Sequence, residues 1–164
     1  MSDVNDVTRL AGLVRGERLL GFDLGTKTIG LALSDVERRL ASPLETLARG
    51  KFTADAAHII AITVRYGVGG LVLGLPLNMD GSEGPRAQAT RAFARNLVRS
   101  LPLPLAFWDE RLSTAAVTRS LIEADASRSR RAAVVDRMAA AYILQGALDR
   151  LRLHHMSSAV DAST

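Results

Sequence analysis

The sequence predicts an α/β domain built on a mixed five-stranded sheet, with element order βββαβαβαα and helices on both faces. Three observations carry this. Three strand-length apolar runs follow one another closely near the start, strands and helices then alternate, and the final third is helical throughout. Sequential strands joined by short turns pair antiparallel, whereas strands separated by a helix pair parallel, so both kinds of pairing are expected in one sheet.

Arg18 to Leu24 is the first apolar run, and Thr28 to Asp35 the second, after the turn around Gly25. Ala41 to Leu47 is the third, starting near Pro43. Between Thr53 and Tyr66, Ala56, Ile59, Ile60, Thr63 and Val64 recur at helical spacing, and Gly67 to Gly70 reads as a break before a buried strand at Leu71 to Leu75. Pro76 to Gly84 is turn-rich, residues 85–100 form an arginine-bearing helix, and Leu103 to Trp108 is the fifth strand. Ser113 suits the N-cap of a helix over Ala115 to Ala124, and Arg130 to Leu153 carries Val134, Met138, Ala141, Leu144 and Leu148 with helical periodicity. Residues 1–17 are expected as a flexible N-terminal segment, 18–150 as the domain, and 151–164 as a flexible tail.

A chain of 164 residues with 48% hydrophobic side chains is of single-domain size. It has no cysteine, which excludes disulfide frameworks, thiolate metal sites and thiol nucleophiles. No apolar run is long enough to span a membrane and none resembles a secretory signal, so the expected setting is the cytoplasm, with no membrane partner. Basic residues outnumber acidic ones 21 to 17, and only Lys27 and Lys51 are not arginine. Guanidinium forks match phosphate geometry, which makes polyanions natural partners.

Three acids stand where acids are rarely found. Asp23 lies inside an apolar strand just before Gly25, where an ionised carboxylate needs a metal, an arginine or backbone donors; a turn-capping role is the alternative. Asp109 and Glu110 close the fifth strand and, as neighbours, face opposite sides, so only one of them joins Asp23; Glu110 is the choice here, with helix capping as its alternative. Asp136 is the acid in the otherwise small and apolar run Val134 to Ala141, where Arg137 offers a structural pairing instead. Carboxylates without histidine or cysteine prefer hard cations, Mg²⁺ or Mn²⁺, and such sites support metal-assisted phosphoryl transfer to water. Candidate phosphate contacts are Lys27, the stripe Arg91, Arg95 and Arg99 at spacings of four, and a group including Arg130 and Arg131; a solvated helix face is the plainer alternative.

Four ordered segments carry a family resemblance: Gly21-Phe22-Asp23-Leu24-Gly25-Thr26-Lys27, Val72 to Gly81, Asp109-Glu110-Arg111-Leu112-Ser113-Thr114, and Val135-Asp136 with Ala139 and Ala140. Together they resemble the YqgF or RuvX-like family of the ribonuclease-H-like superfamily, over about residues 18–150. The resemblance implies a ribonuclease-H-like fold and a cation-dependent nuclease trimming the 5′ end of the small-subunit ribosomal RNA precursor, with a possible ribosomal partner. It places the acids at Asp23, Glu110 and Asp136, and a substrate-side loop at Asn78, Asp80 and Gly81, with Arg111 of the third segment as a further substrate-binding candidate. Relative to resolvases of the RuvC type, no acid follows the fourth strand at Gly74-Leu75-Pro76, and Ala139 stands three residues after Asp136, which argues against branched DNA as substrate. The Asp23-Leu24-Gly25-Thr26 segment also resembles a phosphate loop of actin-like ATPases, which need two such domains. A non-catalytic nucleic-acid-binding protein is the third class.

Overall fold

The structure is a computed structural model that describes residues 4–112 and 128–163, with side chains in the last helix described from residue 133 onward. It contains β1 (Arg18–Leu24), β2 (Thr28–Ser34), β3 (Ala41–Ala48), α1 (Phe52–Tyr66), β4 (Val68–Leu75), α2 (Pro85–Ser100), β5 (Leu105–Asp109) and α3 (Arg128–Asp161). The sheet order is β3-β2-β1-β4-β5. The first three strands pair antiparallel, and β4 and β5 join β1 in parallel, as the mixed sheet requires. The helix expected over Ala115–Ala124 lies outside the described residues.

Strand alternation divides the core in two. On one face Leu20, Phe22, Leu24, Leu71, Leu73, Leu75 and Phe107 pack against Ile59 and Ile62 of α1 and Phe93 and Leu97 of α2. On the other, Leu19, Ala32, Val72, Ala106 and Trp108 pack against Ala140, Ile143, Leu144, Ala147 and Leu148 of α3. This second interface is tight: a Cβ on Gly21 would stand 2.7 Å from the Leu144 Cβ. Glycine in the middle of β1 thus lets α3 rest on the strand backbone.

The element boundaries depart from expectation at three places. β4 begins at Val68 rather than Leu71, because only Gly67 turns the chain, with φ of 64° and its N–H bonded to the Thr63 carbonyl. Gly69 and Gly70 are strand residues whose missing side chains make room for Glu17, Leu10 and Leu19. The N-terminal segment, expected outside the domain, is built into it from residue 4: Val7 and Leu10 are buried, and the Asn5 N–H donates to the Phe107 carbonyl at 2.8 Å. β5 is an edge strand, and this segment covers its open backbone groups. Finally, α3 continues past Leu153 to Asp161, since nothing in His154-His155-Met156-Ser157 caps or breaks a helix; most of these last side chains are exposed. Among the described residues no helix is long and apolar enough to cross a membrane.

Candidate active site

Asp23 is the last residue but one of β1, two positions beyond Gly21, and so faces α3; it is only 2% exposed. Both of its neighbours across the sheet are glycines. Gly30 is its register partner on β2, and Gly74 follows Leu73, the β4 partner of Phe22. With strands about 4.8 Å apart, the space a side chain would fill on either side of Asp23 is open to something else. Over Gly30 the occupant is α3 itself, the Asp136 carbonyl oxygen lying 2.0 Å from where a Cβ would be. Over Gly74 the occupants are the Ile143 side chain and the Glu110 carboxyl, with Oε1 2.8 Å from the equivalent point. Asp136 therefore arrives from the β2 side and Glu110 from the β4 side, with Asp23 between them.

The two adjacent acids at the end of β5 separate as alternation requires. Asp109 continues the Leu105 and Phe107 face, is 4% exposed, and is gripped by Arg111, with Nε to Oδ1 at 3.0 Å and Nη2 to Oδ2 at 2.7 Å. Burial pushes the Asp109 carboxyl up, but hydrogen bonds from the Arg111 side chain and backbone outweigh it and hold the group below its ordinary value. The same contacts raise Arg111. Glu110 opens the short 3₁₀ turn Glu110–Leu112 and lies on the Asp23 face.

Arg111 also reaches the loop between β4 and α2, where Nη1 donates to the Met79 carbonyl at 3.1 Å and the Asn78 carbonyl at 3.3 Å. Its guanidinium thus ties the strand end to the loop. Within the loop the Ser82 hydroxyl and N–H both donate to Asp80 Oδ1, the hydroxyl bond contributing most to a carboxyl held below its ordinary value. Asn78 donates from Nδ2 to the Ser82 hydroxyl, and Gly81, with φ of 87°, returns its N–H to the Asn78 carbonyl. Asn78 and Asp80 thereby shape the loop, which holds Met79 out into solvent, 91% exposed.

The basic candidates divide. Lys27 is exposed in the β1–β2 turn, at the Asp23 end of the sheet. Arg91 is half-buried, donates from Nε and Nη2 to Glu83 and stacks over the Phe107 ring at 4.8 Å. Arg95 and Arg99 are exposed on α2. That helix covers the face opposite Asp23, so the stripe does not overhang the acids. The side chains of Arg130 and Arg131 lie outside the described residues.

A family model named RuvX and described as Holliday junction resolvase matches residues 17–150. The chain belongs to this family. Curated relatives carrying the name "Putative pre-16S rRNA nuclease" include one from Paramagnetospirillum magneticum, 66% identical over 140 residues, spanning 85% of this chain and 90% of that protein. Another, from Methylocella silvestris, is 67% identical over 136 residues, spanning 83% and 84%. Among solved structures, Thermus thermophilus RuvC in complex with a Holliday junction substrate aligns with a TM-score of 0.51 at 13% identity, covering 82% of this chain and 96% of that one. At that identity the likeness concerns the fold, which is that of RuvC.

In this RuvX-family chain Asp23, Glu110 and Asp136 offer carboxylate oxygens, a donor type that suits a hard divalent cation. Among the described residues no three His, Cys, Asp or Glu side chains close on a common point. Sequence reasoning missed Thr28, whose hydroxyl donates to Asp136 Oδ2, and Arg49, whose Nη1 donates to the Gly25 carbonyl at 2.7 Å and braces the turn after Asp23. It also missed Gly30 and Gly74 as the positions that make the site. Their signal was present: Gly21, Gly30 and Gly74 are strand-interior glycines, and such glycines mark close approach of another backbone or ligand.

Proposed function

We propose that this chain is a nuclease that hydrolyses phosphodiester bonds at the 5′ end of the 16S ribosomal RNA precursor, with Asp23, Glu110 and Asp136 as ligands of Mg²⁺ or Mn²⁺. The observation that supports the reading is that α3 seats the Asp136 backbone over Gly30 while the Glu110 carboxyl lies over Gly74, the two glycines that flank Asp23. The names of the curated relatives supply the substrate, and residues 18–150, nearly the span of the family match, form the catalytic unit. The setting is the cytoplasm, and a ribosomal particle presenting the precursor is the partner this reading calls for.

When bound, a divalent cation supplies Lewis-acid stabilisation of charge developing on the phosphoryl oxygens and lowers the pKa of water. The chain supplies the placement. Asp23 is fixed by burial in β1, Glu110 by the end of β5, and Asp136 by the seating of α3 on Gly30. Lys27 and the Asn78–Gly81 loop flank the acids and contact the sugar-phosphate backbone, Arg111 acting through the loop it holds. Arg130 and Arg131, a few residues before Asp136, add phosphate contacts, while Arg95 and Arg99 extend the binding surface around α2. Hydrolysis adds water across the P–O bond and needs no protein nucleophile, consistent with a chain without cysteine.

The test is cleavage of a 16S rRNA precursor by the purified protein with Mg²⁺, Mn²⁺ or EDTA, beside a four-way DNA junction and the Asp23→Asn variant. Cleavage of the RNA that is lost with EDTA and with the variant supports the reading. Preferential cleavage of the junction with the same dependence replaces RNA by branched DNA, the substrate in the family's description. Failure to cleave either, alone or in pre-ribosomal particles, leaves a nucleic-acid-binding protein.

A further inference from the structure

Asp136 is held at two levels. Its backbone rests on β2, because Gly30 has no side chain, and one turn earlier the Ala133 carbonyl accepts a hydrogen bond from the Thr46 hydroxyl on β3. Thr46 is the register partner of Gly30, so glycine and threonine form one socket for the described start of α3. Its carboxylate is held separately. Thr28 stands two residues before Gly30, on the same face of β2, and donates its hydroxyl to Asp136 Oδ2. An aspartate side chain has two free torsions, and a strong donor on one oxygen fixes both while directing the other oxygen elsewhere. Thr28 joins β2 immediately after the Asp23 turn, where the Gly25 N–H donates to the Thr28 carbonyl at 2.8 Å, so one residue links the position of the turn to the orientation of Asp136.

We propose that Thr28 is the positioning residue of Asp136: its hydroxyl orients the carboxylate for a divalent cation, whereas the Gly30 and Thr46 socket only seats the helix. This rests on the reading of Asp136 as a metal ligand. Hydrogen-bond partners of metal ligands control affinity as well as orientation, their loss typically weakening binding about 10–100-fold.

The experiment is Mn²⁺ titration of the purified full chain, followed by the electron paramagnetic resonance signal of free Mn²⁺, with circular dichroism confirming the fold of each variant. Thr28→Val, which keeps the shape and removes the hydroxyl, is expected to weaken Mn²⁺ binding about 10–100-fold. Thr28→Ser is expected to restore binding to within about threefold of the unmodified chain, as a hydrogen bond that survives predicts. Thr46→Val is expected to lower the melting temperature and to weaken Mn²⁺ binding less than Thr28→Val does. Where Thr28→Val does not fold, Thr28→Ala takes its place. Asp136→Asn separates the two levels of the claim. Undiminished binding by Thr28→Val while Asp136→Asn loses it overturns the role of Thr28 and leaves the ligand assignment standing. Undiminished binding by Asp136→Asn, or no saturable binding by the unmodified chain, overturns both.

Discussion

The two faces of the sheet are built from opposite materials. Toward α1 and α2 the strands present leucine, isoleucine and phenylalanine, the helices stand off by the thickness of those side chains, and Asp109, the strand acid on that side, is closed off by Arg111. Toward α3 the strands present Gly21, Gly30, Ala32 and Gly74, the helix answers with Ala139, Ala140, Gly146 and Ala147, and backbone nearly touches backbone. The first face separates its elements and contributes most of the buried apolar volume. The second brings them close enough for acids distant in sequence to share one end of the sheet. Stability and placement are thus largely assigned to different sides of one structure, and substitutions on the two sides should fail differently.

The largest effect is expected at the centre of the placement face. Asp23→Asn should reduce cleavage by about a thousandfold, the scale of losing an electrostatic contact in a water-excluded site. Its melting temperature should stay level or rise, because a buried carboxylate charge is removed. Calorimetry beside a single-turnover assay checks both; a collapse of the fold would mean that Asp23 is structural.

Ile59→Ala, wholly within the opposite face, should cost about 2–5 kcal/mol of stability while leaving cleavage per folded molecule unchanged. Gly30→Ala is the complementary case, since its methyl would stand 2.0 Å from the Asp136 carbonyl oxygen and α3 must lift. It should cost about 3 kcal/mol or more of stability and, unlike Ile59→Ala, also lower cleavage well beyond the unfolded fraction. Denaturant titration of both variants against activity sharpens the contrast, and equal losses of activity per folded molecule would erase it.

Arg95→Ala and Arg99→Ala lie on the far side from the acids. Each should weaken RNA binding by a similar factor across sequences and reduce the slope of log affinity against log salt by about one, with the rate of bound-substrate cleavage unchanged. A changed single-turnover rate would place α2 closer to the scissile phosphate than its face allows.

The smallest effect concerns acid stability at the β2–β3 turn. Burial pushes the Asp35 carboxyl up, but the N–H groups of Leu40 and Arg39 outweigh it and hold the group below its ordinary value. A carboxyl lowered by folding contributes stability that is complete above its unfolded value and is lost as pH falls through the folded one. The stability gap between the unmodified chain and Asp35→Ala should therefore be widest near neutral pH and close in acid. A gap that widens in acid would reverse the sign.

What the sequence makes legible follows from how local each signal is. Strand alternation is local, and it suffices to separate Asp109 from Glu110, whereas the fold shows which of them lies on the Asp23 face, where the Glu110 carboxyl approaches Gly74. The mixed sheet follows from connection lengths, which are equally visible. Glycine is ambiguous: Val68-Gly69-Gly70 looks like a break and is a strand, because the atoms that fill its missing side chains belong to Leu10, Glu17 and Leu19. The seating of Asp136 on Gly30 and its bond to Thr28 join residues more than a hundred positions apart, and nothing near either one announces the other. The arginines are legible only in part, for a related reason. Spacing shows that Arg91, Arg95 and Arg99 share a face of α2, but only the fold shows which side of the sheet α2 covers and that Arg91 is engaged by Glu83 and Phe107.

The late position of α3 in the chain sets an order of events during synthesis. All five strands, with Asp23 on β1 and Glu110 directly after β5, precede Asp136, and the helix that carries it docks on β1 and β2 through contacts of long sequence separation. A chain that has yet to add α3 thus holds two of the three acids and one uncovered face of the sheet. Under the proposed function, the set of acids is therefore completed only by the last element of the described fold, α3.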